Sequence, residues 1–282
     1  TKHPGLMKGH LPFMGEILLG HLRYGTQGKN NIEFCHPFIK RNLVPAKNLA
    51  LAGNFNLVNT EELYQHINVT PGSFEKQSDL AAMMEVIHHF LENEEQINPN
   101  NPNIVNVLKN AVPLFDGGFT VGGLLGNGFS FIMRDAHGIR PAYYYIDDEV
   151  IVAASERAAI RTTFNVAENE VLELMPGMAL IVDDHGKYTI EQIMEPKERR
   201  ACSFERIYFS RGSDEKIYRE RIALGNHLSV RVLDRIEKDL KNTIFSYIPN
   251  TAEVAFYGLV KGMEEYLNKI KVERILSWGN EV

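Results

Sequence analysis

Short apolar segments separated by glycine dominate the first two-thirds of this chain. Such segments predict β-strands, and several are too apolar to be exposed on both faces of a sheet. Between them, Asn127-Gly128, Asp147-Asp148 and His185-Gly186 suit tight reversals of the chain. The predicted strands lie in GEILLGHLRY, NLALAGNFNLV, GGFTVGGLL, GFSFIMRD, AYYYIDDEVIVAAS and MALIVDD.

Two helices are predicted among these strands. TEELYQHI has an acidic first turn behind a cap at Asn59 or Thr60. SDLAAMMEVIHHFLENEE begins at Ser78 and has one apolar face. The polar, proline-containing NEEQINPNNPNIVN that follows predicts a loop or a local insertion. The apolar face of the second helix comprises Leu80, Met83, Met84, Ile87 and Leu91.

The alternation of apolar segments and glycine ends after Pro196, where KERRA predicts a charged connector. CSFERIYFSR predicts a further strand, and a long helix is expected from Lys216 to Lys241. NTIFSYIPNTAEVAFYGLVKGMEEYL then predicts a strand, a short loop and a helix, which is how an α/β unit begins. The expected apolar stripe of the long helix is Leu224, Leu228, Val232, Ile236 and Leu240.

Composition excludes several classes of protein. With 282 residues and 44% hydrophobic content, the chain can bury one large core or two smaller ones. A formal net charge of -6 gives no general basic surface for nucleic acid, and no apolar run is long enough to span a bilayer. The two cysteines, Cys35 and Cys202, form no disulfide framework, so a cytoplasmic location is expected. The chain begins at Thr1 without methionine, so we expect a piece of a longer polypeptide.

Eight segments in fixed order resemble the amidophosphoribosyltransferase family from about Gly15 onward. They are GHLRYGTQG, HPF, LAGNFNLVNTEEL, QSDL, RDAHGIRPAYY, VAASERAAI, MPGMALIV and CSFERIYFSR. The resemblance implies an α+β class II glutamine amidotransferase domain over residues 1–200, lacking its N-terminal segment. Its fold would be the N-terminal-nucleophile four-layer αββα sandwich with antiparallel sheets. Residues 201–282 would then be a connecting strand, a long helix and the first βα unit of a type I phosphoribosyltransferase domain.

The resemblance also implies a glutamine site. Arg23 of RYGT would hold the α-carboxylate of glutamine, because a guanidinium binds a carboxylate in bidentate fashion. Thr26 would bind substrate beside it, and Asp79 would pair with the α-ammonium group. Asn54 and the backbone N–H of Phe55, which stands where the family has glycine, would form the oxyanion hole. Asp79 also has an alternative interpretation as a helix cap.

The family's nucleophile is an N-terminal cysteine, and no cysteine lies at or near Thr1. We interpret Cys35, beside His36, as a packed residue. We interpret Cys202 as structural, because an iron–sulfur cluster needs four ligands and the chain has only two cysteines. Asp135 and His137 in RDAHGIRP suggest either an acid–base or metal site, or a buried ion pair with a turn; we favour the structural interpretation.

The resemblance places a phosphate loop at Asn250 and Thr251, at a helix N-terminus that suits an anion. The family's acidic phosphoribosylpyrophosphate motif is not in this sequence, so Mg²⁺ is expected only for a complete transferase domain and no cofactor for this chain. We therefore expect an inactive fragment that retains glutamine binding, whose longer parent uses phosphoribosylpyrophosphate and forms a homo-oligomer without nucleic acid or membrane. The alternatives are a non-catalytic amino-acid-binding or regulatory module, and another class II amidotransferase.

Overall fold

The computed structural model describes residues 14–22, 32–72, 78–94 and 101–278. The chain separates into two compact units. The first contains the residues up to Ser155 together with Val166–Ala201, and the second contains Glu156–Asn165 and the chain from Cys202 onward.

The strands of the described residues belong to two sheets in the first unit, and every strand pair among them is antiparallel, as the resemblance implied. The larger sheet has the order β1-β2-β3-β4-β8-β9, and the smaller has the order β6-β5-β7. The strands are β1 (Phe38–Lys40), β2 (Leu49–Leu57), β3 (Gly117–Leu125), β4 (Ser130–Arg134), β5 (Tyr143–Ile146), β6 (Ile151–Ala154), β7 (Leu172–Glu173), β8 (Met178–Val182) and β9 (Tyr188–Gln192).

In the part of the chain that the structure describes, three α-helices belong to the first unit and three to the second. Those of the first unit are α1 (Thr60–His66), α2 (Asp79–Glu92) and α3 (Ile104–Ala111). Those of the second are α4 (Arg157–Phe164), α5 (Glu215–Arg235) and α6 (Glu253–Trp278).

Both faces of the larger sheet contribute to a core. On one face α2 lies against β1 and β2, α1 and α3 pack beside α2, and strand residues such as Leu51 and Phe119 share a core with these helices. The opposite face packs on the smaller sheet, since Leu180 and Ile132 share a cluster with Tyr144 and Ile151. The first unit therefore stacks a helix layer on two antiparallel sheets, which confirms the α+β class. All five apolar residues predicted for one face of α2 are buried.

Arg134 at the end of β4 joins the two sheets, and Asp135 after it holds the following turn; each is only 1% exposed. The Arg134 guanidinium donates to Glu173 Oε1 at 2.8 Å and to three backbone carbonyls. The Asp135 carboxylate accepts four backbone N–H groups, from Phe119, His137, Ile139 and Arg140, at 2.9–3.2 Å. Asp135 is thus occupied by structural hydrogen bonds, which supports the structural interpretation of RDAHGIRP.

Helices α5 and α6 of the second unit form a closely packed pair. A Cβ added to Gly225 would overlap the carbonyl oxygen of Ala255, and one added to Gly258 would overlap that of Ile222. Small residues therefore set the contact face, and the predicted leucine stripe is wrong: Leu224 and Leu228 are 47% and 49% exposed. The buried face of α5 instead comprises Ile217, Arg221, Gly225, Ser229 and Leu233.

Helix α5 also ends earlier than predicted. Glu237 and Lys238 adopt left-handed φ angles of 52° and 62°, and Lys238 N–H donates to Leu233 O at 2.8 Å. This geometry satisfies carbonyl groups at the end of a helix.

Both strands predicted after residue 201 are absent from the described chain, which corrects the connecting strand and the βα unit. Glu205–Phe209 form a π-helical turn, in which Phe204 stacks on Tyr208 at 5.1 Å. Residues 243–248 are irregular, because a strand needs a neighbouring strand to accept its hydrogen bonds. Among the described residues, no helix is both long and apolar enough to cross a lipid bilayer.

We expect Asp135→Ala to lower the free energy of unfolding by about 4 kcal/mol, because it leaves several backbone N–H groups without an acceptor. Urea denaturation followed by circular dichroism measures the change. The control is Asp147→Ala, which removes an aspartate of an exposed turn that also accepts backbone N–H groups. Equal losses for the two variants would contradict the supporting role of Asp135.

A second prediction concerns Asp214, the N-cap of α5, which forms two hydrogen bonds to Arg157 at 2.8 and 2.9 Å. Burial of this carboxyl opposes its ionisation, but the hydrogen bonds from Arg157 and the α5 backbone outweigh that effect and lower its pKa below 3.8. The ion pair therefore stabilises the fold above the unfolded-state pKa and loses this effect as the pH falls through the lower folded-state pKa.

We expect Asp214→Asn to lower the free energy of unfolding by about 3 kcal/mol at pH 7, since it leaves Arg157 without its ionic partner. The difference in unfolding free energy between the variant and the unsubstituted chain should stay constant between pH 5 and 8. It should shrink below about pH 4. Denaturant titrations at each pH measure it, and a difference that grows on acidification would refute the assignment.

Candidate active site

The candidate site is built on an edge of β2 that β1 leaves uncovered. Strand β1 pairs only with Leu49–Leu51, whereas β3 pairs with β2 along its whole length. Hydrogen-bond direction alternates along a strand, and Val58 N–H donates to Asp116 O on the β3 side. The N–H groups of Gly53, Phe55 and Leu57 therefore all point to the uncovered edge.

Side chains from outside the sheet fill two of these three positions. Gly53 N–H donates to His36 Nδ1 at 3.5 Å, and Leu57 N–H donates to Asp79 Oδ2 at 2.9 Å. The N–H of Phe55, the predicted oxyanion donor, lies between them. The structure therefore brings Asp79 to the same strand edge as Phe55.

Asp79 occupies this edge because α2 begins there. Ser78 is the N-cap, and its side chain accepts from Ala81 N–H at 3.4 Å. Asp79 is the first helical residue, where the helix dipole favours a negative charge. The capping role thus falls to Ser78, while the half-buried Asp79 carboxylate supports β2 from the side.

Asn54 and Phe55 lie in the middle of β2, and their side chains point to opposite faces of the sheet. Phe55 packs against the helix-side core, and Asn54 lies opposite Thr120 of β3. Phe55 does not have a positive φ, so replacing glycine strains nothing here and keeps the backbone donor. Its cross-strand neighbour Phe119 donates its N–H to Asp135, which ties the site to the turn described above.

The remaining predicted site residues are placed as follows. Arg23 and Thr26 lie outside the described residues. Asn250 and Thr251 form the turn that precedes α6 in the second unit, as the phosphate-loop prediction requires. The first turn of α6 carries Glu253, whose negative charge opposes a bound phosphate. The phosphate loop stays a prediction.

The two cysteines lie in different compact units. Cys35 is exposed, which corrects the expectation that it is packed, and Nδ1 of the neighbouring His36 accepts from Gly53 N–H. Cys202 is half-buried in the second unit. Within the described ranges, no group of three or more histidine, cysteine or carboxylate residues is placed to hold a metal ion.

His36 is the site residue that sequence reasoning missed. HPF was noted as part of a motif, but the contact of His36 with Gly53 joins residues 17 positions apart. The one available signal was a histidine beside a proline, immediately before an apolar strand.

Comparison with known proteins shows which enzymes the chain resembles. Residues 37–162 match the model of a glutamine amidotransferase domain. Amidophosphoribosyltransferase of Saccharomyces cerevisiae is 26% identical over 255 residues, covering 84% of this chain and 48% of the relative. The enzyme of Archaeoglobus fulgidus is 27% identical and covers 86% and 50%, and that of Bacillus subtilis is 29% identical and covers 70% and 38%.

Solved structures show the same fold. Glutamine phosphoribosylpyrophosphate amidotransferase from B. subtilis, in complex with ADP and GMP, aligns with a TM-score of 0.63 at 24% identity. The alignment covers 86% of this chain and 49% of that one. A structure described as the allosteric regulatory enzyme of purine biosynthesis aligns with a TM-score of 0.65 at the same identity.

The first unit thus contains a segment similar to a glutamine amidotransferase domain and shares the fold of phosphoribosylpyrophosphate amidotransferase structures. More specifically, the chain is similar to amidophosphoribosyltransferases over most of its length. The chain spans about half the length of the curated relatives it matches.

Proposed function

We propose that this chain is the glutamine-binding part of an amidophosphoribosyltransferase. The whole reaction converts glutamine, phosphoribosylpyrophosphate and water to 5-phosphoribosylamine, glutamate and pyrophosphate, the first step of purine synthesis. The observation that carries the proposal is that Asp79 accepts Leu57 N–H on the same edge of β2 to which Phe55 N–H points. A carboxylate and a backbone donor there are suited to the ammonium group and the reacting carbonyl of one amino acid.

Each residue has a separate role in the proposal. The Asp79 carboxylate pairs with the α-ammonium of glutamine while it holds Leu57 N–H. Phe55 N–H and the Asn54 side-chain amide donate to the oxyanion formed when the amide is attacked, and one such donor is worth about 3 to 4 kcal/mol. Arg23 binds the α-carboxylate, and Thr26 contacts the substrate beside it.

Two further steps of the whole reaction require groups that this chain does not supply. Neither Cys35 nor Cys202 acts as the nucleophilic thiol. Asn250 and Thr251 contribute to a phosphate site only when acidic ligands for Mg²⁺ accompany them. Phosphoribosylpyrophosphate binding, homo-oligomerisation and a cytoplasmic location belong to the longer protein, and nucleic acid is not a partner.

We expect the chain to bind glutamine saturably, and Asp79→Asn to weaken that binding at least about tenfold. The amide oxygen of asparagine still accepts Leu57 N–H, so the variant removes the charge for the ammonium group and keeps the strand support. Isothermal titration calorimetry measures the affinity, and thermal unfolding checks the fold. Asp116→Asn, on an exposed residue next to β3, is the matched control. Equal affinity in all three proteins would refute the role of Asp79.

A turnover assay tests the assignment of the cysteines. We expect the 282-residue chain to release no more glutamate from glutamine than a buffer blank, because neither cysteine has the required base. Steady release would contradict this expectation, and its loss in Cys35→Ala would identify Cys35 as the nucleophile.

A further inference from the structure

His36 makes two kinds of contact with the oxyanion segment of β2. Its Nδ1 accepts Gly53 N–H at 3.5 Å, and its ring stacks on Phe55, with centroids 5.4 Å apart and planes 23° apart. Both contacts fall within three consecutive residues, on either side of Asn54. His36 thus touches the segment that carries both predicted oxyanion donors.

The His36 ring is itself held in place. His21 lies against it with a centroid distance of 4.3 Å, and Phe38 meets it edge-on at 5.3 Å. Phe38 opens β1, which pairs with β2 at Leu51, so the ring is anchored to the same sheet. A half-buried ring fixed by aromatic neighbours has few orientations open to it.

The strand segment that His36 contacts has little room to adjust on its other side. A Cβ added to Gly53 would overlap Thr120 O, so the β2 and β3 backbones approach closely at this point. Beyond Phe55, Asp79 holds Leu57 N–H. His36 and Asp79 thus fix the N–H groups two residues before and two residues after Phe55.

We propose that His36 is a positioning residue that sets the direction of Phe55 N–H toward the oxyanion of the tetrahedral intermediate formed from glutamine. The inference rests on the proposed function. A ring nitrogen and an aromatic face are both needed: phenylalanine supplies only the face, and asparagine supplies only an acceptor close to the position of Nδ1.

The test uses two ligands of the same shape except at the reacting carbon. One is glutamine, and the other is the sulfonamide in which a tetrahedral sulfur replaces the amide carbon, as a mimic of the intermediate. Titration calorimetry gives the affinity of the 282-residue chain for each. Hydrogen exchange of the Gly53 and Phe55 amides, followed by nuclear magnetic resonance, reports on the strand edge without any ligand.

We expect His36→Phe to weaken sulfonamide binding about fivefold more than glutamine binding, and to speed exchange at Gly53 by a similar factor. His36→Asn should recover only part of the sulfonamide preference, because it restores an acceptor without the aromatic face. His185→Phe, the same substitution at an exposed turn, should change neither quantity. If His36→Phe does not fold, Phe55→Leu removes the stacking, keeps the backbone donor and should lower the same preference.

An unchanged ratio of the two affinities in His36→Phe would overturn the inference while leaving glutamine binding, and thus the proposed function, intact. If the unsubstituted chain binds neither ligand, the proposed function fails and the inference fails with it. Faster exchange at Gly53 in His36→Phe would then show only a structural contact.

Discussion

The site depends on one constraint, which is that the backbone donors of an incompletely paired strand need acceptors. Among the described strands, β1 covers this edge of β2 only as far as Leu51, and the next three N–H groups that point to the same side lie beyond it. Buried or half-buried backbone donors are almost always paired. His36 and Asp79 satisfy the first and third, at Gly53 and Leu57. The position between them, at Phe55, is therefore framed on both sides by side chains that the fold holds in place.

The rest of the first unit keeps that edge rigid. Asp135 accepts the N–H of Phe119, which lies opposite Phe55 on β3, and Arg134 beside it joins the two sheets through Glu173. Burial of the Glu173 carboxyl opposes its ionisation, but Arg134 and Arg199 outweigh this and lower its pKa. The RDAHGIRP turn, whose residues could also be interpreted as an acid–base or metal site, thus supports the candidate site through the neighbouring strand β3.

Much of the first unit could be predicted from the sequence, because the residues that are apolar by local spacing are the ones that the fold buries. Helix α2 buries the apolar face that its spacing predicts, and β2 follows NLALAGNFNL, whose apolar residues fill the core. Asp79 lies on the edge of β2 to which Phe55 N–H points, and its role in binding glutamine remains a prediction. The roles of Arg23 and Thr26 remain predictions, since both lie outside the described residues.

The errors lie where long-range contacts decide the outcome. CSFERIYFSR has aromatic and β-branched residues typical of a strand, yet aromatic stacking accompanies a π-helical turn. FSYI has no neighbouring strand to pair with among the described residues, so it stays irregular. In α5, leucine spacing predicted the buried face, but Gly225 and Ser229 allow closer approach of α6 and define it instead. The contact of His36 with Gly53 likewise depends on how β1 meets β2, which no local pattern encodes.

A crystal structure of this chain grown with glutamine tests the central claim most directly. The account predicts the amino acid at the β2 edge, with its ammonium group within hydrogen-bond distance of Asp79 and its side-chain carbonyl oxygen directed at Phe55 N–H. Glutamine bound anywhere else on the chain, with this edge vacant, would contradict it.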